Sequence, residues 1–318
     1  SGARPKSLPG IEIDERLVIS SNGAVRQERR PQSLIVIGAG AVGVEFADVY
    51  AAYGTEVTVL EALPRIVPVE DEEVSVQLAR LFARRSITVK TSVKVTSVKP
   101  GGAGVIVETE GERLEAEQVL MAVGRGARLD GVGAEALGVT VERGFVKVSP
   151  RMETSARGIY AIGDVAGPPL LAHKAMAEGV VAAEAIAGRE PRPVDYGNVP
   201  SCTYCRPQVA SIGLTEAKAR EGGREVTIGK FPFTASGKAV ALGDTEGFVK
   251  VVADKATGEI LGVHILGPEA TEIIHEFAVG RTLEATLEEI IHTIHAHPTL
   301  SEAALEATLG ALGQAIHL

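Results

Sequence analysis

Three glycines at positions 38, 40 and 43 have the G-x-G-x-x-G spacing with which a backbone can approach a diphosphate. Gly38 permits a tight turn, Gly40 lets backbone amides come close to a pyrophosphate, and Gly43 allows a helix to pack closely on a strand. The pattern directly follows the apolar run 34–37 and opens a segment with helical spacing. This strand–turn–helix context predicts a dinucleotide-binding turn rather than an ordinary tight turn.

Two glutamates lie close to this turn in sequence. Glu61 ends the next apolar run, where a carboxylate accepts hydrogen bonds from a ribose 2′-hydroxyl. The same carboxylate repels a 2′-phosphate, so NAD is favoured over NADP, although the nearby Arg65 weakens this preference. Glu45 lies in the first turn of the helix after the glycines, where its position alone indicates an acid that complements the helix dipole.

The segment 297–302, His-Pro-Thr-Leu-Ser-Glu, places an imidazole shortly before a carboxylate. Thr299 and Glu302 have the spacing of a capping box, which would explain Glu302 without any chemistry. A glutamate that reaches back over the helix start would also lie near His297, fix its tautomer and raise its basicity, as a general base requires. The two interpretations are compatible, and the spacing does not separate them.

Two further patterns could suggest a metal or a redox dithiol. His292, His295 and His297 lie close together, but only the first two share a predicted helix, and no acid or cysteine has a suitable ligand spacing. Cys202 and Cys205 precede a predicted strand, whereas reactive dithiols are typical of a helix amino terminus, and a structural zinc needs four ligands. We therefore predict no metal site and two cysteines without redox chemistry.

The first part of the chain must position the glycine turn and Glu61. Short apolar runs and helical periodicity predict a βαβ unit followed by a small β-meander. A second helix has acids in its first turn and arginines in its last, which suits the helix dipole. The predicted strands are 34–37, 57–60, 87–98, 105–108 and 119–122, the predicted helices are 43–53 and 71–85, and 99–102 is a predicted turn.

The pattern changes after residue 126. Residues 158–164, Gly-Ile-Tyr-Ala-Ile-Gly-Asp, are predicted to form a strand that runs into a glycine, and a helix is predicted at 173–187. From residue 198, strands and then helices predict an α+β layer domain. Its predicted strands are 209–212, 248–253 and 260–265, and its predicted helices are 271–279, 287–295 and 300–315.

Composition and charge exclude several classes of function. The chain has 318 residues, of which 45% are hydrophobic and 23% charged, as in a globular protein of two or three domains. A net charge of −9 without a basic block argues against nucleic acid as a partner, and no apolar run is long enough to cross a bilayer. Two cysteines and no signal peptide favour a reducing compartment, so we expect a cytoplasmic protein.

Taken together, these motifs resemble those of the flavoprotein disulfide reductases, most closely the dihydrolipoamide dehydrogenases, and the resemblance covers essentially the whole chain. The most specific string, 295–302, is similar to the family's His–Glu pair at the dimer interface, and 202–205 is similar to a non-catalytic segment. The other matching strings are 38–43 with Glu45 and 58–61 for NAD, 123–125 leading back to the flavin domain, and 160–164 with 171–175 for the flavin.

The resemblance implies reversible electron transfer from dihydrolipoamide to NAD by way of a cysteine disulfide and FAD. It implies that His297 takes the thiol proton, that Glu302 orients His297, and that Glu45 lies by the nicotinamide. It assigns Gly38, Gly40, Gly43, Glu45, Glu61 and Gly124 to NAD, and Gly163, Asp164 and Ala172 to FAD.

The resemblance also implies partners and a domain order. The family forms homodimers through the C-terminal domain, the His–Glu pair serves the partner's active site, and lipoamide is carried by a protein of a 2-oxo acid dehydrogenase complex. The implied fold is an α/β Rossmann-like NAD domain with a β-meander, a remnant of an FAD-domain segment and an α+β dimerisation domain. The implied segments are 1–10 (end of the FAD domain), 11–126, 127–197 and 198–318.

One departure from the family is large. Family sequences begin with their own flavin-binding G-x-G-x-x-G and a Cys-x4-Cys redox pair, and these 318 residues contain neither. We therefore expect this chain alone to have no lipoamide turnover and little flavin; the alternative is a stand-alone NAD-binding dimer without redox chemistry. We also expect residues 127–197 to be mobile, repacked or covered by a partner, since their predicted strand would lack its sheet.

Overall fold

The computed structural model describes residues 1–102 and 104–317. Its strands, in chain order, are β1 (Ala3–Pro5), β2 (Val18–Ile19), β3 (Ser33–Ile37), β4 (Glu56–Leu60), β5 (Thr88–Lys90), β6 (Val95–Gly101), β7 (Gly104–Thr109), β8 (Arg113–Ala116), β9 (Gln118–Met121), β10 (Arg125–Ala127), β11 (Val141–Glu142), β12 (Phe145–Val146), β13 (Ser201–Thr203), β14 (Gln208–Gly213), β15 (Val226–Pro232), β16 (Phe248–Asp254) and β17 (Ile260–Gly267). Its α-helices are α1 (Ser21–Ala24), α2 (Ala41–Ala52), α3 (Glu72–Arg84), α4 (Ala172–Ile186), α5 (Glu216–Glu221), α6 (Gly237–Leu242), α7 (Ala270–Thr282), α8 (Leu287–His292) and α9 (Glu302–Ala311).

The chain folds as two compact units. Unit 1 comprises Ser1–Leu8 and Val123–Tyr196, and unit 2 comprises Pro9–Ala122 and Gly197–Leu318. Each unit is therefore assembled from two stretches that are distant in sequence. None of the helices within residues 1–102 and 104–317 combines the length and the apolar character needed to cross a membrane.

Unit 1 is built from short strand pairs and one long helix. β1 pairs antiparallel with β10, and β11 with β12. The predicted helix at 173–187 is present as α4, whose buried face packs against Met152. Three large apolar side chains on α4 are instead exposed: Met176, Val180 and Ile186.

Residues 158–164 do not form the predicted strand. Tyr160 makes one isolated antiparallel bridge to Glu153, and Gly163–Ala166 form a 3₁₀ turn. A strand requires a ladder of hydrogen-bonded pairs, and among the described residues this segment has that single bridge. The apolar pattern indicates an extended segment, but it carries no information about whether a pairing neighbour exists.

In unit 2, a five-stranded parallel sheet carries the predicted βαβ unit. Its strand order is β2-β9-β3-β4-β5, and every neighbouring pair is parallel. The two strands β3 and β9 read as nearly continuous apolar runs because both of their faces are buried. Their side chains form one core with the inner faces of α2 and α3, including Val36, Val44, Val59, Leu78 and Phe82.

The predicted meander is assembled from different segments. Residues 87–98 divide between two sheets, because β5 extends the parallel sheet and β6 begins the antiparallel sheet β6-β7-β8. The predicted third strand, β9, also belongs to the parallel sheet. Its place is taken by β8, which the sequence does not predict because Arg-Leu-Glu-Ala has no apolar run. The predicted turn at 99–102 is shorter, because β6 continues to Gly101; Pro100 is tolerated there on an edge strand.

The second sheet of unit 2 is antiparallel, with the order β13-β14-β17-β16-β15. The predicted strands β14, β16 and β17 are present, and the last two are wholly buried. β13 and β15 are not predicted; β15 contains Gly229 and ends at Pro232, which are both turn signals. A Cβ on Gly229 would lie 1.8 Å from the Ala307 carbonyl oxygen, so this glycine lets α9 pack closely on the sheet.

The last two helices are shorter than predicted. α8 ends at His292 rather than at 295, because Thr293 is extended, with ψ 126°. α9 begins at Glu302 rather than at 300 and ends at Ala311 rather than at 315. Residues 293–301 therefore form a loop that carries His295 and His297.

Candidate functional site

The glycine turn lies at the junction of β3 and α2. Gly38 has φ +100°, a conformation that residues with a side chain rarely adopt, and Gly40 is the N-cap of α2. A Cβ on Gly43 would lie 1.9 Å from the Gly38 carbonyl oxygen, so only glycine permits this packing. A Cβ on Gly40 would meet no atom of the described residues within 4 Å. The turn therefore combines one tightly packed glycine with one that leaves backbone open to a ligand.

Glu61, at the end of β4, is aimed at this turn. One carboxylate oxygen accepts a hydrogen bond from the Ala39 amide at 2.7 Å, and the other accepts one from the Leu63 amide at 2.9 Å. The side chain is buried, and the two amides hold both oxygens of its carboxylate. Arg65, which could have weakened the preference for NAD, has its guanidinium 3.6 Å from the Glu72 carboxylate.

Glu45 projects from α2 toward a segment distant in sequence. Its predicted place in the first turn is wrong, because α2 begins at Ala41 and Glu45 lies in the second turn. Its carboxylate accepts a hydrogen bond from the Tyr204 amide at 2.8 Å. Burial raises the pKa of Glu45, and the Tyr204 amide offsets this only in part. The sequence motif does not predict this contact, because Glu45 lies on the helix that follows β3 of the parallel sheet, whereas Tyr204 follows β13 of the antiparallel sheet.

The two cysteines face different cores. Cys205 is buried in the core of the parallel sheet, whereas Cys202 packs against the core of the antiparallel sheet. Burial raises the pKa of Cys202 to about 11 and also raises the pKa of Cys205, so both are held as thiols at neutral pH. Both are free in the structure.

The His–Glu pair forms a direct contact. The His297 Nδ1 atom lies 2.8 Å from one Glu302 oxygen, and the other oxygen accepts the Thr299 amide at 2.8 Å. The predicted capping box is thus only half formed, because the Thr299 hydroxyl donates to the Ala296 carbonyl and α9 begins after Ser301. Burial raises the pKa of Glu302, but the Thr299 amide and His297 outweigh it, and the net pKa is lowered.

The three clustered histidines have separate partners. His295 lies 2.7 Å from Glu276 through Nε2, and His292 lies 2.8 Å from the Glu288 carbonyl through Nδ1. His297 instead contacts Glu302, as described above. Within residues 1–102 and 104–317, no group of three or more His, Cys, Asp or Glu side chains is arranged to hold a metal ion.

The residues assigned to FAD lie in unit 1. Gly163 has φ +72° and opens the 3₁₀ turn that contains Asp164, and Ala172 begins α4. A buried pair that the sequence does not single out holds this turn. Lys174 donates to the carbonyl oxygens of Gly163 (3.0 Å) and Gly167 (2.9 Å), and Glu178 accepts the Gly163 amide at 2.6 Å.

The predicted site residues are thus distributed over both units. Gly38, Gly40, Gly43, Glu45 and Glu61 surround the start of α2 in unit 2. His297 and Glu302 belong to the antiparallel-sheet part of the same unit. Gly124, which has φ +105° and whose carbonyl accepts the Lys6 amide at 2.9 Å, belongs to unit 1 with Gly163, Asp164 and Ala172.

Comparison with known proteins covers nearly the whole chain. Residues 1–179 match the pyridine nucleotide-disulphide oxidoreductase family, and residues 199–308 match the dimerisation domain of pyridine nucleotide-disulphide oxidoreductases. The dihydrolipoyl dehydrogenase of Rhizobium etli is 48% identical over 100% of this chain and 67% of its own length. The dihydrolipoyl dehydrogenase of Bacillus subtilis is 44% identical over 100% of this chain and 68% of its own length.

Solved structures are also similar to this chain over nearly its whole length. LpdA from Mycobacterium tuberculosis superposes with a TM-score of 0.89 at 30% identity, over 96% of this chain and 67% of that one. The HOCl-induced flavoprotein disulfide reductase RclA from Escherichia coli superposes with a TM-score of 0.90 at 26% identity, over 96% of this chain and 71% of that one.

Proposed function

Because the chain belongs to the pyridine nucleotide-disulphide oxidoreductase family, we propose that it is the NAD(H)-binding and dimerisation part of a dihydrolipoamide dehydrogenase. The reaction of such an enzyme is reversible electron transfer from dihydrolipoamide to NAD. The dihydrolipoyl dehydrogenases that match along the whole chain support this choice within the family.

The observation that carries the proposal is the geometry around Ala39. Gly40 leaves the backbone open at the amino end of α2, where amide groups and the helix dipole attract a pyrophosphate. Glu61 is held beside this turn by the Ala39 amide, in a position that suits a ribose 2′-hydroxyl and disfavours a 2′-phosphate. These residues fit NAD(H), whose nicotinamide supplies the electron-accepting chemistry when bound. Glu45 would orient the nicotinamide end, and the family resemblance also assigns Gly124 to NAD.

His297 would accept the thiol proton of the substrate. Its imidazole is 78% exposed, so a substrate can reach it, while the Glu302 carboxylate holds Nδ1. A carboxylate on Nδ1 fixes the tautomer that leaves Nε2 free to accept a proton. In a homodimer formed through the C-terminal domain, this pair would serve the partner's active site, with lipoamide presented on a carrier protein of a 2-oxo acid dehydrogenase complex.

The flavin residues would hold one part of FAD. Gly163 and Asp164 lie in a turn whose backbone is held by Lys174 and Glu178, and Ala172 begins the helix that carries these two side chains. This arrangement fits a segment that lines a cofactor. FAD, when bound, carries electrons between a disulfide and the nicotinamide. We propose that the 318-residue chain alone retains little FAD and does not turn over lipoamide.

The cysteines support the last proposal. The chain has two, and both are held as thiols in buried or half-buried positions rather than as an accessible pair. The same observation favours the second candidate, a non-catalytic NAD-binding dimer.

The proposal also includes a cytoplasmic location and a division of the chain into the segments 1–10, 11–126, 127–197 and 198–318.

Calorimetric titration with NADH, with flavin absorbance and lipoamide turnover read on the same purified sample, tests the proposal. We expect saturable NADH binding, far less than one flavin per chain, and no turnover. Stoichiometric flavin or measurable turnover would refute the fragment's predicted inactivity. Absence of NADH binding would refute the proposed function itself.

A further inference from the structure

A row of polar residues crosses the buried face of the antiparallel sheet. Register pairs each member with the next across five adjacent strands, so that all point to the same face. His264 and Lys250, in the two central strands, are 1% and 2% exposed. We call this set the polar row: Ser201, Ser211, His264, Lys250 and Lys230.

A short acidic segment before and at the start of α3 lies along the polar row. Glu70 accepts a hydrogen bond from the Ser201 hydroxyl at 3.3 Å. Asp71 and Glu73 lie 3.0 and 2.8 Å from the Lys250 ammonium. Charge complementarity therefore aligns this segment with the sheet.

Lys250 is the centre of the contact. Its ammonium also lies 2.8 Å from a Glu216 oxygen, so three carboxylates surround one cation. Burial lowers the pKa of Lys250, but the hydrogen bonds to Glu216, Glu73 and Asp71 outweigh it and raise the pKa overall. Asp71 in turn accepts the Glu73 amide at 3.1 Å and so caps α3.

The same segment is tied to the glycine turn through Val67. The Val67 amide donates to the Ala39 carbonyl at 2.7 Å, and the Glu70 amide donates to the Val67 carbonyl at 2.9 Å. Val67 has φ +38°, a left-handed conformation that a β-branched residue adopts only when its surroundings impose it. Ala39 is therefore held on both of its backbone groups, by Glu61 on the amide and by Val67 on the carbonyl.

We propose that Lys250 and Asp71 are positioning residues for the dinucleotide site: through Val67 they fix the place of Ala39 and thereby set the affinity of the glycine turn for NAD(H). This inference rests on the proposed function. A buried ion pair is weak evidence for stability, because apolar residues of similar size often replace one without loss. Its contribution here is to hold a strained turn in a single position beside the ligand.

Two substitutions test the inference. Lys250→Met removes the central cation, and Asp71→Asn removes one charge while keeping an efficient N-cap. If either change lowers the population of the competent turn to about a tenth, the apparent Kd for NADH rises about tenfold. The Ala39 amide should also exchange its hydrogen faster in the absence of nucleotide.

Arg84→Met is the matched control. Arg84 lies at the far end of α3 and pairs with Glu246 at 2.9 Å. The substitution therefore removes a cation from α3 at a position distant from the glycine turn. We expect Arg84→Met to leave both the NADH Kd and the exchange of Ala39 unchanged.

The readouts separate positioning from simple stabilisation. A merely structural role would lower the melting temperature while leaving the NADH Kd and Ala39 exchange as in the unaltered chain, and that result would overturn the inference. Should Lys250→Met fail to fold, Asp71→Asn decides alone by the same criteria. If the unaltered chain does not bind NADH, the proposed function fails, whereas Ala39 exchange in the two variants still decides whether the polar row holds the turn.

Discussion

At the scale of single residues, Glu61 shows how neighbouring backbone amides can fix the position of one side chain. The sequence places a glutamate at the end of a strand after the glycine turn, and the structure adds two amide donors that fix its carboxylate. The motif does not predict either donor: the Leu63 amide is a local contact two residues away, and the Ala39 contact depends on how β3 and β4 pair.

We expect Glu61→Gln to weaken NADH binding about tenfold or more, because a hydrogen bond to a charged group contributes about 1.5–3 kcal/mol. The neutral side chain should also reduce the discrimination against NADPH. Calorimetric titration with both nucleotides measures this. Glu56→Gln, an exposed change at the start of the same strand, is the control, and equal NADH affinity in the two variants would contradict the role of Glu61.

Glu70 gives a prediction about pH. Burial raises its pKa above the ordinary value of 4.5, so the folded chain keeps a proton that the unfolded chain releases. The free energy of unfolding therefore falls as pH rises above about 4.5, by at most about 1.4 kcal/mol per pH unit from this group. Glu70→Gln should remove that fall and gain stability relative to the unaltered chain between pH 5 and pH 7.

Chemical denaturation at several pH values measures the effect. Glu72→Gln, at an exposed neighbouring position, controls for the loss of one negative charge. Parallel stability curves for Glu70→Gln and the unaltered chain would show that Glu70 is ionised in the folded state.

Other residues show where sequence reasoning stops. The spacing of His297 and Glu302 predicts their contact, since both lie within one local segment. The Thr299 hydroxyl, however, prefers the Ala296 carbonyl to the predicted cap. Lys174 and Glu178 have no local signature of their role, because they act on a turn that only the folding of unit 1 brings to them.

At the scale of elements, the glycine turn contains two glycines, Gly40 and Gly43, with different structural roles. A Cβ on Gly43 would collide with the Gly38 carbonyl, whereas a Cβ on Gly40 would point into open space. The sequence pattern already assigns helix packing to Gly43 and ligand approach to Gly40, and the structure adds the space around each glycine.

Gly43→Ala and Gly40→Ala should therefore differ. We expect Gly43→Ala to lower the free energy of unfolding by about 1–3 kcal/mol, because α2 must move away from β3. Gly40→Ala should change stability by less than about 1 kcal/mol yet weaken NADH binding about tenfold, because a methyl group would occupy the space of the phosphate. Thermal unfolding and calorimetry on both variants measure this, and unchanged binding in Gly40→Ala would count against a phosphate at this position.

The elements that the sequence predicts well are those whose pattern is self-contained. β3, α2, β4 and α3 follow from apolar periodicity and from a cap or a glycine at their ends. β8 is missed because it lacks apolar periodicity, and 158–164 is mistaken for a strand because pairing is a property of the neighbours.

At the scale of the whole molecule, the chain carries a dimerisation domain and exposes apolar side chains there. Ile294 is 97% exposed and lies in the loop before His297. An isoleucine so exposed is explained if a second copy covers it, as the proposed homodimer requires.

Ile294→Asp should weaken that dimer. Losing the burial of one isoleucine removes about 1.5–3 kcal/mol, so the dimer Kd should rise about tenfold or more. Sedimentation analysis over a range of concentrations measures it, with Val240→Asp, at an apolar position on α6 that is 59% exposed, as the control. A dimer of unchanged Kd in Ile294→Asp would place the interface elsewhere.

The most direct test of the account compares the Kd values of NADH and NADPH for the unaltered chain by calorimetry at one salt concentration. If the turn after β3 grips the diphosphate and Glu61 faces the ribose, NADH should bind at least about tenfold more tightly than NADPH, because the 2′-phosphate meets a fixed carboxylate. Equal or tighter binding of NADPH, or no binding of either nucleotide, would contradict it.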